Sequence, residues 1–491
     1  MEIDLNYNSS TPLYMQITLI IKDKILSGEL PENFKLLSER RLAGRLGVHR
    51  NTVVRAYETL ISEGLVISSR QTPCGYFVAP RPDTSDRAKK LPSMFSSTDK
   101  NFNYHFTSAQ IRFEEMYHSS YNADKISFAA LLVNKEALPM EFLKQLMQEI
   151  IDGDMTEPFW FCAPQGTERL RNDLSEMLFT RNIYVKPRNI QIVGETFEAI
   201  NNIAFMYLEK GDCVILEEPA DPTVVNIFLH VGARLLFVPV EEDGIQIDRL
   251  ETLVRQYRPK LIYTMPNCHT PTGCTMGIEK RKRLLSCARD YNVPVLEDDS
   301  LYDFYYCEKK LPSLFSMDQN NSVIYLDTAG LSFYPGVRLA YLAAPDSVIG
   351  MYHRIVNKDQ LFLNSLGQYL WARFIERGFY ERHVQFLREF YRQKRDRMCG
   401  CLSRIPNLSF SVPERGLCVW VKIEKCLNDM RLTTVCERIG LLITPGSVYF
   451  PEGQKGENYL RLSFSSASDE QIEEGIQLLK KGMELSRPEA D

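Results

Sequence analysis

Between Ile126 and the carboxyl terminus, short apolar runs recur between longer stretches of helical periodicity. Cys213-Val214-Ile215-Leu216, Leu235-Leu236-Phe237-Val238, Leu261-Ile262-Tyr263-Thr264 and Pro294-Val295-Leu296-Glu297 are each about one strand long and nearly apolar throughout. Strands of that kind are buried on both faces, and the helices between them supply the cover. The pattern predicts an α/β domain with a mostly parallel sheet and flanking helices over residues 126–487. Ligands of such sheets bind beyond the carboxyl ends of the strands, so the residues just past each run are the first place to look for a site.

At 491 residues the chain is long enough for several domains. No apolar run reaches the length of a membrane span, and Met1-Glu2-Ile3-Asp4 opens no signal peptide, so a cytoplasmic protein with no membrane partner is expected. Twelve scattered cysteines fit a reducing compartment, and none has a zinc-like partner spacing, so no metal is expected. The net charge of −5 is uneven: residues 1–82 carry +2 and the remainder −7. Within residues 40–55 stand Arg40, Arg41, Arg45, Arg50 and Arg55 with no acid among them. A local cationic stripe on a mildly acidic chain points to a polyanion partner for that segment alone.

The segment around the stripe reads as three helices and a hairpin. Thr11-Pro12 starts the first helix, with Leu13, Ile17, Ile20, Ile21 and Ile25 at helical spacing and Gly28 as its stop. The second runs from Ser38 to Leu46-Gly47. The third runs from about His49 to Glu63-Gly64, with Val53, Ala56, Tyr57 and Leu60 inside and Arg50, Asn51, Thr52 and Arg55 outside. Leu65-Val66-Ile67 and Gly75-Tyr76-Phe77-Val78 complete a wing. Residues 1–80 are therefore expected to form a winged helix-turn-helix, unless the basic face is merely solvated. Pro80 to Asp86 cannot pack a core, and residues 81–125 are expected to be a linker.

In order, Pro12-Leu13-Tyr14, Leu36 to Arg40, Leu46 to Val53, Ala56 to Leu60 and Glu63-Gly64-Leu65 resemble the GntR group of winged-helix regulators. The resemblance implies that Arg40, Arg50 and Thr52 hold DNA phosphates, that Arg50, Asn51 and Arg55 reach base edges, and that Arg41 belongs to the same DNA-binding surface. Leu37 replaces a common proline. His49 replaces the usual serine cap, a change expected to cost about 1 kcal/mol at the helix start.

The large domain resembles class I aminotransferases, which are fold-type I pyridoxal phosphate (PLP) enzymes with a smaller C-terminal subdomain. Pro164-Gln165-Gly166, Glu217-Glu218-Pro219, Pro271-Thr272-Gly273, Glu297-Asp298-Asp299, Thr444-Pro445-Gly446 and Leu460 to Phe464 occur in that family's order. The fusion resembles MocR/GabR regulators. In Leu326 to Tyr341, Thr328 and Arg338 match phosphate-binding positions, but the position of the Schiff-base lysine is Leu331, which has no amine.

The same resemblance places Asp298 at the pyridine nitrogen and Thr270 where an Asn usually meets the ring oxygen. Ser300 and Leu301 occupy the expected Tyr positions, and whether Tyr302 substitutes stays open. Gly194-Glu195-Thr196 replaces the usual small-residue phosphate turn, and Phe161 replaces a cross-subunit tyrosine. Arg461 matches the arginine that grips a substrate carboxylate, with an internal salt bridge as the competing expectation.

These substitutions imply a degenerate aminotransferase-like domain without transaminase activity and without covalent PLP, leaving PLP at most a weak non-covalent ligand. The expected function is a DNA-binding transcriptional regulator acting as a head-to-tail homodimer on a double-stranded operator and sensing an anionic metabolite such as an amino acid or phosphate ester. A PLP-dependent aminotransferase fused to a DNA-binding head, and a regulator whose pocket is dead, are the alternatives.

Overall fold

The computed structural model describes residues 3, 5–6, 11–26, 29–62, 65–69, 75–79, 108–119, 125–153, 156–307, 310–359, 363–450 and 455–487. Two compact units emerge, Met1–Asn103 and Tyr104–Asp491.

In the first unit, α1 (Leu13–Leu26), α2 (Glu39–Leu46) and α3 (Arg50–Ser62) precede an antiparallel hairpin of β1 (Val66–Ser69) and β2 (Gly75–Val78). Ser38 caps α2 by accepting the Arg41 amide, and Gly47, at φ +66, ends it in the left-handed conformation that glycine adopts without strain. Ile17, Ile21, Ile25, Leu42, Val53, Ala56, Tyr57 and Leu60 share one buried core. Each large aliphatic side chain in it contributes about 1.5–3 kcal/mol of burial. The expected stops Gly28 and Glu63-Gly64 lie outside the described residues, as does most of the stretch read as a linker.

That linker reading needs a correction. Helix α4 (Ser108–Ser119) lies inside it and belongs to the second unit, against the helix Pro222–His230 and the turn Gly446–Tyr449. A helix of twelve residues is marginal by itself, and tertiary packing supplies what local propensity lacks.

The second unit is built on eight strands: β3 (Ile190–Val193), β4 (Cys213–Glu218), β5 (Arg234–Glu241), β6 (Gly244–Ile245), β7 (Leu261–Thr264), β8 (Val295–Asp298), β9 (Val323–Thr328) and β10 (Ala340–Ala343). Their order across the sheet is β3-β10-β9-β8-β7-β4-β5-β6. Neighbours from β9 to β5 are parallel, β10 runs against both β9 and β3, and β6 folds back on β5. The mostly parallel sheet read from the apolar runs is therefore present, and three buried clusters cover its faces. Helix α5 (Thr196–Tyr207) leaves β3 directly. Asp248 sits in the first turn of Ile247–Tyr257, where it pairs with Arg283.

A four-stranded antiparallel sheet forms the smaller C-terminal subdomain, with β11 (Ser409–Phe410), β12 (Cys418–Lys422), β13 (Thr444–Pro445) and β14 (Tyr459–Ser463) in the order β11-β12-β14-β13. Helices Phe379–Leu402 and Asp469–Ser486 pack on it, the latter closed by a Ser468/Gln471 capping box. Leu460 and Leu462 enter the subdomain core, so strand alternation turns Arg461 to the opposite face.

Candidate ligand cavity and nucleic-acid interface

A cavity of about 630 Å³ opens where β3, β7, β8 and β9 reach their carboxyl ends. Thr196, Thr270, Asp298, Thr328, Arg338 and Arg461, far apart in sequence, all line it, together with Leu331. No lysine stands among the described residues that line it. Leu331 packs its side chain against the C-terminal core. Of the lysines nearest in sequence, Lys310 lies over the Tyr305 ring, Lys309 is outside the described residues, and the side chain of Lys358 is not described.

Asp298 is buried at the end of β8. One carboxylate oxygen accepts the Tyr263 hydroxyl at 2.8 Å, and the other accepts the amide and hydroxyl of Ser300. Burial raises its pKa, and the Ser300 and Tyr263 hydrogen bonds oppose that rise. Ser300 and Leu301 line the cavity. Tyr302 does not: its ring lies 4.0 Å from the Arg181 guanidinium, which settles the open question against it.

The corner beside α5 has an unusual charge distribution. Glu195 precedes the helix with no side-chain cap, and its carboxylate meets the Arg338 guanidinium at 3.3 Å. Glu198, one turn on, accepts the Gly194 amide; burial raises its pKa while that bond lowers it. Thr328 donates its hydroxyl proton to the Leu339 carbonyl and accepts the Gly330 amide. Thr328 and Arg338, two of the groups that would serve a phosphate here, already have internal partners.

Across the cavity, Arg461 is only 2 % exposed. It donates to the Ala129 carbonyl and to Thr444 Oγ1, and its Nε is buried without a partner. Among the described residues it forms no ion pair, so the internal salt bridge considered from the sequence is absent. A buried guanidinium without a paired carboxylate is the arrangement that an incoming anion satisfies.

The sequence reading missed Tyr263, Asp221 and the α4 residues Phe113, Glu114 and His118, all of which line the cavity. Asp221 caps the helix Pro222–His230 through the Thr223 amide, and Asp before Pro was a legible cap signal. Burial raises its pKa, against which the Thr223 amide and, more weakly, the Arg461 charge act. No comparable signal marks Phe113, Glu114 or His118.

In the first unit, Arg40, Arg41, Arg50, Asn51 and Arg55 are exposed and Thr52 is half-buried. Arg50 is aimed by Glu39, whose carboxylate accepts its Nε and Nη2 at 2.9 and 2.6 Å and also accepts the Tyr76 hydroxyl from the wing. The Tyr76 and Arg50 hydrogen bonds hold the Glu39 carboxyl below its ordinary range. Arg55 stacks on Tyr14 with its guanidinium 3.9 Å from the ring centre, so α1 holds it in place. His49 caps the helix through its Nδ1, which accepts the Asn51 amide at 3.3 Å.

A mostly parallel sheet with two reversed strands, an anionic strand end and a buried arginine from a C-terminal subdomain in one cavity, and a winged-helix head together define an aminotransferase-like α/β protein fused to a DNA-binding module. Residues 131–479 match the family described as aminotransferase class I and II, and the chain belongs to it. Residues 13–75 match the bacterial regulatory proteins of the gntR family.

Relatives similar along both units include an uncharacterized HTH-type transcriptional regulator, YisV, of Bacillus subtilis (strain 168), 28% identical over 95% of each chain. The probable rhizopine catabolism regulatory protein MocR of Rhizobium meliloti is 24% identical, over 97% of this chain and 94% of its own. Among solved structures, the α-aminoadipate aminotransferase LysN of Thermus thermophilus, complexed with N-(5'-phosphopyridoxyl)-L-leucine, is 27% identical with a TM-score of 0.70, covering 77% of this chain and 97% of that one.

Proposed function

We propose that the chain is a DNA-binding transcriptional regulator whose large domain keeps the aminotransferase fold for dimerisation and for sensing a carboxylate-bearing small molecule, without transaminase chemistry. The carrying observation is Arg461, buried at the cavity wall with no ion pair among the described residues, in a cavity whose described lining contains no lysine. Relatives that align along both units are named as transcriptional regulators, which supports the regulatory half of the reading.

The lining does not fit an imine-bound, phosphorylated cofactor. Leu331 offers no nitrogen, and the phosphate corner holds two carboxylates. Asp298, Thr328 and Arg338 keep the residue types their positions call for, but Thr328 and Arg338 already have internal partners. A homodimer is part of the proposal: Phe159, Trp160 and Phe161 form a consecutive aromatic run that is 58–65% exposed, an apolar surface suited to a second copy.

The test mixes purified full-length protein with PLP, reads the absorbance of an imine, and traps any adduct with borohydride. No band and no adduct are expected, whereas operator binding measured by fluorescence anisotropy shifts with a carboxylate ligand. A trapped adduct on a cavity side chain would overturn the proposal in favour of a PLP enzyme carrying a DNA-binding head.

A further inference from the structure

We propose that Glu195 sets the cavity against phosphorylated ligands by supplying, within the chain, the negative charge that Arg338 would otherwise take from a phosphate. The inference deepens the sensor reading and rests on it, by narrowing the class of anion admitted to carboxylates without a phosphate group.

Three separate contacts carry it. The Glu195 carboxylate lies 3.3 Å from Arg338 Nε, so an incoming phosphate must displace one anion or sit beside it. The Gly194 amide, which precedes the helix start, is occupied by the Glu198 carboxylate, a second negative group at the same corner. That carboxylate also fills space: a Cβ added to Gly194 would meet Glu198 Oε2 at 2.7 Å. The Thr328 hydroxyl proton goes to the Leu339 carbonyl.

A helix N-terminus attracts anions through free amides and its dipole, and here the Glu195 and Glu198 carboxylates already place negative charge beside it. The opposite wall differs in kind. Arg461 retains its charge without a paired carboxylate, and the lining between the two ends is largely apolar, with Leu131, Val133, Met265, Leu331 and Leu339. One end of the cavity therefore accepts an anion and the other refuses one.

Pyridoxine and pyridoxine 5'-phosphate differ only in the phosphate and carry no aldehyde, so they probe this corner without imine chemistry. Calorimetric titration of full-length wild type is expected to show no preference for the phosphate ester beyond about threefold. Glu195→Gln is expected to bind the ester about tenfold tighter or more, with pyridoxine unchanged, because a charge-assisted pair to Arg338 becomes available. Glu195→Gln combined with Arg338→Gln should lose that gain.

Both side chains are partly exposed, at 37% for Glu195 and 71% for Arg338, so neither change removes a core group. Glu195→Gly serves as a second variant, with circular dichroism to verify folding. A wild type that prefers the ester tenfold, or a Glu195→Gln protein with no gain for it, overturns the inference. Either outcome leaves the Arg461 reading standing, while a borohydride-trapped PLP adduct sinks the sensor reading without touching the Glu195 comparison.

Discussion

At the scale of single residues, a few side chains decide what the cavity admits. Arg461→Met keeps the volume of the side chain and removes its charge. The Ala129 carbonyl loses a donor, but an unpaired buried cation is removed as well, so the net loss of stability is expected to be small. The variant should nevertheless lose the rise in melting temperature that carboxylate ligands cause in wild type, a loss of about 1.5–3 kcal/mol of ligand binding. A variant that still responds in thermal-shift assays would move the carboxylate site elsewhere. Leu331→Lys should produce little imine with PLP while Glu195 is present and more when combined with Glu195→Gln, read by borohydride trapping.

Residue-level legibility followed chemistry and failed on geometry. That Leu331 has no amine is visible in the letters. That Glu195 meets Arg338, that Tyr302 turns to Arg181, and that His49 caps α3 through Nδ1 depends on where neighbouring backbone carries each group.

Elements show how local contacts give a surface its task. Glu39 on α2 holds Arg50 on α3 and Tyr76 on β2. Glu39→Gln is expected to weaken operator binding by about fivefold, through loss of about 1 kcal/mol of orientation, measured by anisotropy. Arg40→Ala and Arg41→Ala should each lower the slope of log affinity against log salt by about one, while Arg50→Ala and Asn51→Ala change discrimination between operator variants.

In the helix Glu168–Thr180, burial pushes the Asp173 carboxyl up to about 7, with Glu376 adding to the rise, and one of its oxygens is buried without a hydrogen bond. The folded state therefore holds a proton that the unfolded state releases near its ordinary value. The stability this contributes is present at low pH and is lost as pH rises through about 7. Allowing for its partial exposure, Asp173→Asn should flatten the decline in melting temperature between pH 5 and 8 by the equivalent of about 1 kcal/mol. An unchanged pH profile would show that this carboxyl is solvated.

Strands and amphipathic helices were legible because apolar periodicity is local. Helix α4 was not, because a helix of twelve residues is marginal by itself and finds its partners only in the folded second unit.

For the whole molecule, Trp160→Asp is expected to shift sedimentation toward monomer and to weaken operator binding in parallel; a variant that stays dimeric would place the dimer contact elsewhere. The chain by itself determined the order of modules, a basic winged helix ahead of an aminotransferase-like sheet, and the loss of the amine at position 331, because motif order and side-chain identity are linear properties. Tertiary structure alone decided that Arg461 stands without an ion pair among the described residues while Arg338 is already paired, and that α4 forms part of the cavity wall. Charge pairing and enclosure depend on distances between strand ends that are more than a hundred residues apart along the chain, and only folding sets those distances.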